Sequence, residues 1–299
     1  MTVVMVTGGS GQLGGALRRL SWPRPVEVVA PLRDELDLAD ADAVSGYLLA
    51  TGARAVINAA AYTAVDRAES EQAAAFHANA QIPAAIAEAA RSADVPLIHV
   101  STDYVFDGGL ARPYEVGDVV APINVYGASK AAGELAARAI QPRSAVVRTS
   151  WLVSPDGRNF VTTMLRLAHE RPRLRIVADQ HGRPTIADDL AKALAGIALR
   201  MIDDPEAPTG VFHAASEGET TWFDFAAAVF AEGALRGGPV PELDAIATAD
   251  YPTPARRPLN SRLSTARLTR DYGISLPPWR ERLPDLVGAI LDRAPLNGA

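Results

Sequence analysis

The amino-acid sequence predicts an α/β fold, a doubly wound parallel sheet with a smaller C-terminal lobe. Two observations predict it. Short apolar runs rich in Val and Ile alternate with Ala-rich helical stretches through the first half of the chain, and such alternation implies crossovers that place helices on both faces of a parallel sheet. The second half is less regular, because Pro and Gly cluster at 205–210, 237–241, 252–258 and 277–278.

The composition is that of a globular protein and excludes several classes of function. The chain has 299 residues, enough for a large core, with 48% hydrophobic and 21% charged residues. A net charge of −6 without a basic block argues against nucleic-acid binding. The absence of cysteine excludes disulfides and thiolate metal sites. The chain opens on a strand-like run and contains no apolar stretch of membrane-spanning length, so we expect a cytoplasmic protein.

The hydrophobic pattern places the elements in order. Buried strands are predicted at 3–7, 26–30, 55–58, 97–101, 144–149, 174–177 and 211–214. Helices are predicted at 12–20, 71–93, 186–201 and 217–233. Residues 1–150 therefore form the sheet domain, with 173–215 returning to it, and 151–172 and 216–299 mainly form the lobe. The aromatic residues of the last helix are interpreted as core.

A glycine-rich loop joins the first strand to the first helix. Gly9, Gly11 and Gly14 have the spacing of a dinucleotide-binding loop, and Gly8 fits a related spacing. Small residues let the backbone turn tightly and approach a pyrophosphate at a helix N-terminus. The alternative is a purely structural turn, but the position between a strand and a helix favours a nucleotide site.

The end of the second strand bears on which cofactor is bound. An acidic residue there would hold the adenosine ribose of NAD, but this chain has Arg33 instead. Arg33 is suited to a 2′-phosphate, which favours NADPH, with NADH also allowed. Asp34, Glu35 and Asp37 follow closely, so Arg33 as an ordinary surface charge is the open alternative.

A tyrosine and a lysine four residues apart open the helix after a Pro-containing loop. Tyr126 and Lys130 would share one helix face. A free phenol has a pKa of about 10, so neutral-pH acid chemistry requires about 4 kcal/mol of help. A cation about 4 Å away supplies roughly that amount at an effective dielectric constant of about 20. The pair is therefore sufficient for a general acid; by itself, however, this spacing is more typical of a solvated helix with an incidental Tyr and Lys.

The fourth strand ends in Ser101, Thr102 and Asp103. Ligands of open α/β sheets lie beyond the carboxyl ends of the strands. The Thr102 hydroxyl is suited to a hydrogen bond with a substrate carbonyl, although a simple turn at a strand end is the rival interpretation.

Together these motifs, in this order, resemble the extended short-chain dehydrogenase/reductases. More narrowly, residues 58–66, 101–106, 124–127, 148–151 and 257–261 look like the dTDP-4-dehydrorhamnose reductase family. The resemblance covers about residues 3–283, and its specific parts are 58–66 and 101–106. It implies a Rossmann-type NAD(P)-binding domain, a substrate-binding lobe, and NAD(P)H-dependent reduction of a dTDP-4-keto-6-deoxy sugar by a monomer or homodimer.

The resemblance also implies roles for individual residues. Tyr126 would protonate O4, Lys130 would bind the nicotinamide ribose and lower the Tyr126 pKa, and Thr102 would orient O4. Asp103 and Trp151 would contact the sugar. The cofactor would be bound by Gly8, Gly11, Gln12, Leu13, Arg33, Asp37, Leu38, Ala59, Ala60, Ala61, Thr63, Tyr126 and Lys130.

Arg257 lies in a Pro-flanked loop of the second lobe. A planar guanidinium is suited to phosphate oxygens, so we expect Arg257 to bind the substrate pyrophosphate while Trp151 packs on the sugar. A structural role for both residues, with Trp151 filling the seam between the lobes, is the alternative.

The sequence is also compatible with other activities. Some relatives carry a magnesium site, but Asp188 and Glu281, the latter flanked by arginines, do not make a convincing one, so no metal is expected. A 4,6-dehydratase would need Glu where this chain has Tyr104. A ketoreductase for a different dTDP-deoxysugar, an epimerase and a non-catalytic regulatory subunit are the remaining alternatives.

Overall fold

The computed structural model of the chain describes residues 1–293, arranged around a six-stranded parallel sheet. Strands β1–β14 are Thr2–Thr7, Val26–Val29, Ala53–Asn58, Leu97–Thr102, Ser144–Thr149, Leu152–Val153, Arg173–Val177, His181–Gly182, Thr185–Ile186, Gly210–His213, Ser216–Glu217, Thr220–Thr221, Glu242–Ile246 and Leu276–Pro278. Helices α1–α11 are Gln12–Arg19, Ala41–Thr51, Val65–Ala68, Gln72–Phe76, Ile82–Ser92, Val125–Ile140, Phe160–Glu170, Ala187–Asp203, Trp222–Ala234, Ala266–Tyr272 and Trp279–Arg293. The π-helical segment His77–Gln81 joins α4 to α5.

The order of strands in the main sheet confirms the predicted doubly wound fold. It is β10-β5-β4-β3-β1-β2, with all neighbours parallel. The chain moves outward from β1 to β2 and then returns to place β3 on the other side of β1. In open sheets, ligands bind beside such a reversal, at the carboxyl ends of the strands. This edge therefore determines where the candidate site lies.

Two apolar layers cover the faces of this sheet. One face packs against α1 and α8 through side chains such as Val4, Ile57 and Leu194, and the other packs against α2 and α5 through side chains such as Met5 and Ile86. The central strands are apolar on successive residues because both of their faces are buried. Among residues 1–293, no helix is both long and apolar enough to cross a bilayer.

A separate apolar cluster forms the core of the smaller lobe. It is built from α7, α9, α11 and β7, with Phe225, Phe230 and Trp279 fully buried. The core interpretation is thus correct for Phe225 and Phe230. The helix that carries them begins at Trp222, later than predicted, because the Thr221 side chain caps it by accepting the Asp224 N–H. Residues 294–299 of the predicted lobe lie outside the described residues.

One strand was assigned to the wrong sheet. Arg173–Val177 is a strand as predicted, but it pairs in parallel with Glu242–Ile246 in a two-stranded sheet of the lobe. Of the segment 173–215, only Gly210–His213 joins the main sheet. The reason is visible in its alternation: Arg173 and Arg175 are exposed while Leu174 and Ile176 are buried. A strand inside a parallel sheet has both faces covered and does not alternate in this way.

Candidate active site

A cleft of about 900 Å³ opens at the carboxyl edge of the main sheet. It is lined by the glycine loop, by the ends of β3 and β4, by the start of α6, and by residues of the smaller lobe. Every predicted site residue except Asp37 lines it, so this one cleft brings together the residues expected to bind cofactor and the residues expected to bind substrate. The Asp37 carboxylate instead accepts the N–H of Ala39, and Leu36 and Leu38 line the cleft on either side.

The glycine loop has the geometry of a phosphate cradle. Gly8 has a φ of +69° and lies against the backbone of the segment after β3; a Cβ there would be 2.8 Å from Ala60 N. A Cβ on Gly14 would be 2.1 Å from the Gly8 oxygen. No side chain caps the N-terminus of α1, where Gly11 is the N-cap residue. Free amides at a helix start beside a close backbone are suited to a pyrophosphate.

Asn58 holds this loop in place and was not predicted as a site residue. Its fully buried side chain accepts the Thr7 hydroxyl (2.6 Å) and the Ala60 N–H (3.2 Å), and its amide donates to His99 Nδ1 (3.1 Å). These bonds connect the ends of β1, β3 and β4. The feature of the sequence that could have indicated Asn58 is its place at the end of an otherwise apolar strand, where a buried polar side chain must find hydrogen-bond partners.

The start of α6 fits tightly against the turn after β4. The Asn124 side chain caps the helix by accepting the Gly127 N–H (2.8 Å) and donates to the Arg256 carbonyl (2.8 Å). A Cβ on Gly127 would be 2.1 Å from the Tyr104 oxygen. The Tyr126 ring then meets the edge of the Tyr104 ring, with centroids 5.5 Å apart. The Asn124 cap and the close contact at Gly127 together fix the position of the Tyr126 phenol.

The predicted lowering of the Tyr126 pKa by Lys130 stays a prediction, because Lys130 is not among the groups that shift this pKa in the structure. Surrounding protein atoms raise the Tyr126 pKa by desolvation, which a hydrogen bond with Thr102 only partly opposes. The buried Lys130 ammonium donates to the Val100 carbonyl (2.7 Å). Burial lowers the Lys130 pKa to about 8, with Glu134 acting in the opposite direction. The spacing of the two residues correctly placed both in one cleft, but it did not account for desolvation.

Thr102 and Asp103 form the polar floor of the cleft. The Thr102 hydroxyl donates to Asp103 Oδ1 (3.1 Å). Asp103 is buried, and burial raises its pKa to about 6. Its Oδ2 and the hydroxyl of Thr149 are buried without a hydrogen-bond partner. Buried polar atoms of this kind are typical of surfaces that receive a polar ligand.

Arg257 lies at the far end of the same cleft and already has two partners. Its guanidinium donates to Asp66 (2.7 Å) and to the Tyr104 hydroxyl (3.1 Å). Two other arginines of the smaller lobe, Arg183 and Arg262, both pair with Glu219. Of these three, Arg257 is the one that lines the cleft.

Trp151 forms part of the opposite wall. It has a φ of +47°, unusual for a residue with a side chain. Its ring stacks on Trp222 with centroids 3.5 Å apart and lies against Gly182, where a Cβ would be 2.3 Å from the ring. Trp151 therefore packs within the lobe and lines the cleft at the same time, so its two sequence interpretations are not exclusive.

Asn159 is a further site residue that the motifs of the sequence do not indicate. It caps α7 and donates to the Gln12 side chain (3.0 Å), which links the glycine loop to the wall that carries Gly157, Arg158 and Phe160. The available signal was Asn159 three residues before Thr162, a spacing typical of a helix cap. A cap predicts a helix start but not which distant loop it will contact.

Asp188, one of the two residues considered for a metal, lies beside an arginine. Asp188 lies 3.8 Å from Arg19, and its neighbour Asp189 pairs with Lys192 (3.0 Å) and Arg282 (2.9 Å). Within residues 1–293, no group of three or more His, Asp or Glu side chains is arranged to hold an ion.

Comparisons with known proteins agree on one family. The model described as "RmlD substrate binding domain" matches residues 1–291. The chain is 45% identical over 287 residues to a dTDP-4-dehydrorhamnose reductase of Sinorhizobium fredii, covering 96% of this chain and 97% of that protein. A crystal structure of a dTDP-4-dehydrorhamnose reductase from Clostridium acetobutylicum is 34% identical, with a TM-score of 0.89 over 97% of this chain and 100% of that one. Another from Bacillus anthracis, in complex with NADP, is 32% identical, with a TM-score of 0.87 over 96% and 98%.

Proposed function

We propose that this chain, which belongs to the dTDP-4-dehydrorhamnose reductase family, reduces the 4-keto group of dTDP-4-dehydro-L-rhamnose to give dTDP-L-rhamnose, with NADPH as the preferred reductant. The observation that carries this proposal is the meeting of Thr102, Tyr126 and Lys130 in the cleft that also contains the glycine loop. The relatives' names supply the sugar, and the relative bound to NADP supports the cofactor.

The residues of the cleft fit a dinucleotide. The close approach of Gly8 and Gly14 leaves no room for a side chain beside the uncapped start of α1, and this cradle is suited to a pyrophosphate. Arg33 lines the same cleft beyond β2, where an adenosine 2′-phosphate would lie. Bound NADPH supplies the hydride. Lys130, at the end of the cleft nearer Tyr126, would hold the nicotinamide ribose.

The protein's own residues orient the ketone and provide the proton. Thr102 would donate its hydroxyl to the carbonyl oxygen and so orient the carbon. The Tyr126 phenol is protonated at neutral pH, as a free phenol is, and would give this proton to O4. Burial raises its pKa, which makes it a weaker acid in the protein alone. Asp103 lines the cleft and would accept a sugar hydroxyl. Arg257 and Trp151 would bind the pyrophosphate and the sugar ring.

The test is an assay with dTDP-4-dehydro-L-rhamnose and each nicotinamide cofactor, with the product identified by NMR. We expect consumption of reduced cofactor and formation of the L-rhamno product. A product with the opposite configuration at C4, or turnover only with another 4-keto sugar, would contradict the proposed conversion of dTDP-4-dehydro-L-rhamnose to dTDP-L-rhamnose. Neither outcome would change the reaction class. Cytoplasmic location and a monomeric or dimeric state stay predictions.

A further inference from the structure

Helix α6 carries a third polar residue on the face of Tyr126 and Lys130. Glu134 follows Lys130 by four residues, so the three side chains lie along one face. Glu134 is 4% exposed and does not line the cleft. A carboxylate buried one turn below the reactive groups requires a physical reason, because burying a charge is costly.

The Glu134 carboxylate is bound by two strands of the main sheet. Arg148, on β5, donates Nε to Oε1 (2.8 Å) and Nη2 to Oε2 (2.6 Å). Ser101, on β4, donates its hydroxyl to Oε1 (2.5 Å). Ser101 precedes Thr102 directly and is paired with Arg148 across the sheet. The carboxylate thus joins the face of α6 to the strand end that carries Thr102.

Stability alone does not account for this ion pair. Both side chains are almost completely buried, 3% and 5% exposed, and a buried pair can often be replaced by apolar residues without loss of stability. Arg148 is enclosed by Phe106 and by His213, whose pKa burial lowers to about 3, so His213 is neutral. The geometry instead suits a carboxylate that orients α6 against the two strands and supplies a negative charge near Lys130.

Lys130 is the group on which the carboxylate acts. Its charged and titratable surroundings are Glu134 on its own helix, His99 on β4, and Tyr126 and Asp103 in the cleft, with Arg148 behind Glu134. The effect of Glu134 is to raise the Lys130 pKa against the stronger effect of burial. Burial and the Lys130 charge both keep His99 neutral. Without the Glu134 charge, the Lys130 ammonium would deprotonate at lower pH.

We propose that Glu134 is a positioning residue for the reduction: clamped by Arg148 and Ser101, it fixes the Tyr126–Lys130 face against the end of β4 and places a negative charge one helical turn from the Lys130 ammonium. The proposal rests on the proposed function for its kinetic consequences. Its electrostatic part concerns the protein alone and is testable without a substrate.

The direct test is titration of the lysine side chains by NMR. Lys130 and Lys192 are the two lysines of the sequence, so selectively labelled protein gives two side-chain signals. Lys192 is half exposed and pairs with Asp189, far along the chain from this network, so it is an internal control. In Glu134→Gln we expect the Lys130 midpoint to fall by about one pH unit, as for removal of one nearby opposite charge, with Lys192 unchanged. An unchanged Lys130 midpoint in the folded variant would overturn the electrostatic part.

Kinetics test the positioning part. Glu134→Gln should lower kcat by about 10- to 100-fold, the effect expected of a small displacement of reactive groups, with both KM values nearly unchanged. Its loss of activity at alkaline pH should begin at lower pH than in the wild type. Arg138→Gln, an exposed position one turn further along α6, is the matched control and should change nothing. Wild-type kcat and pH profile in folded Glu134→Gln would overturn the proposal.

Two milder variants keep the test decisive if Glu134→Gln does not fold. Ser101→Ala removes one bond to the carboxylate and keeps the charge, so it should lower kcat without moving the Lys130 midpoint. Glu134→Asp keeps the charge on a shorter side chain and should give the same pattern. If both variants leave kcat unchanged, the positioning role is wrong. If the wild type reduces no dTDP-4-keto sugar, the proposed function fails, and the lysine titration still decides the electrostatic role.

Discussion

The two walls of the cleft are built differently. The wall formed by the ends of β1, β3 and β4 and the start of α6 depends on close backbone contacts, such as Gly14 against Gly8 and Gly127 against Tyr104. The opposite wall depends on side chains from distant parts of the chain, such as Trp151 stacked on Trp222. The first wall therefore tolerates little change in shape and is suited to chemistry, whereas the second is suited to choosing the ligand.

The largest effect is expected on the first wall, from Tyr126→Phe. Removing a general acid should lower kcat by about 10²–10⁴-fold, and cofactor binding should persist because the ring and its contact with Tyr104 are kept. Steady-state kinetics and a cofactor-binding titration measure both effects. Tyr251→Phe, at an exposed position, is the control. Near-wild-type turnover in Tyr126→Phe would remove the catalytic distinction between the walls.

The next largest effect is expected from Arg257→Ala, because this side chain of the smaller lobe reaches across to Asp66 and Tyr104. Loss of a hydrogen bond to a charged group costs about 1.5–3 kcal/mol, so the KM for the dTDP-sugar should rise about 10- to 100-fold. The kcat and the KM for NADPH should stay nearly unchanged, because binding is lost equally in the ground and transition states. Arg256→Ala is the matched control, since Arg256 is the exposed neighbour in the same loop.

An unaltered sugar KM in folded Arg257→Ala would show that the pyrophosphate is bound elsewhere. The residues to test next would be Arg183 and Arg262, which would first have to leave Glu219. A fall in kcat of similar size instead would mean that Arg257 acts on the chemistry through Tyr104, and the functional division between the walls would be weaker than proposed.

A smaller effect is expected at the cofactor end of the cleft. Arg33 is exposed, so its interaction with a 2′-phosphate is screened by solvent. Arg33→Ala should weaken NADPH binding by about fivefold, the range of an exposed ion pair, and leave NADH binding unchanged. Fluorescence titration with each cofactor measures this. Arg54→Ala is the control, because Arg54 is exposed at the amino end of β3 and does not line the cleft. Equal losses for both cofactors would show that Arg33 does not distinguish them.

Removal of divalent metal with EDTA is expected to have no effect on activity, which makes it the smallest of the predicted effects. Asp189 is committed to Lys192 and Arg282, and Asp188 lies near Arg19, whereas hard cations require several clustered oxygen ligands. Activity before and after chelation is the measurement. A loss that magnesium restores would point to a metal-dependent contact outside both walls.

The sequence alone determined the parallel sheet, the glycine loop and the presence of Thr102, Tyr126 and Lys130 on the first wall. These features are local, because apolar runs, the spacing of glycines and the four-residue spacing of Tyr126 and Lys130 each reflect the geometry of one element. For the same reason, it misplaced the strand 173–177, whose partner is nearly seventy residues away at 242–246. Local pattern predicts a strand but not its sheet, although the alternating arginines indicated an exposed face.

Only the tertiary structure decided the second wall and the electrostatics. Distant segments meet only when the whole chain is packed. Packing brings Asn159 to Gln12 and Arg148 to Glu134. Desolvation likewise depends on the atoms that surround a group after folding. The spacing of Tyr126 and Lys130 therefore placed both residues in one cleft, whereas burial, which no spacing reports, raised the pKa of one and lowered that of the other.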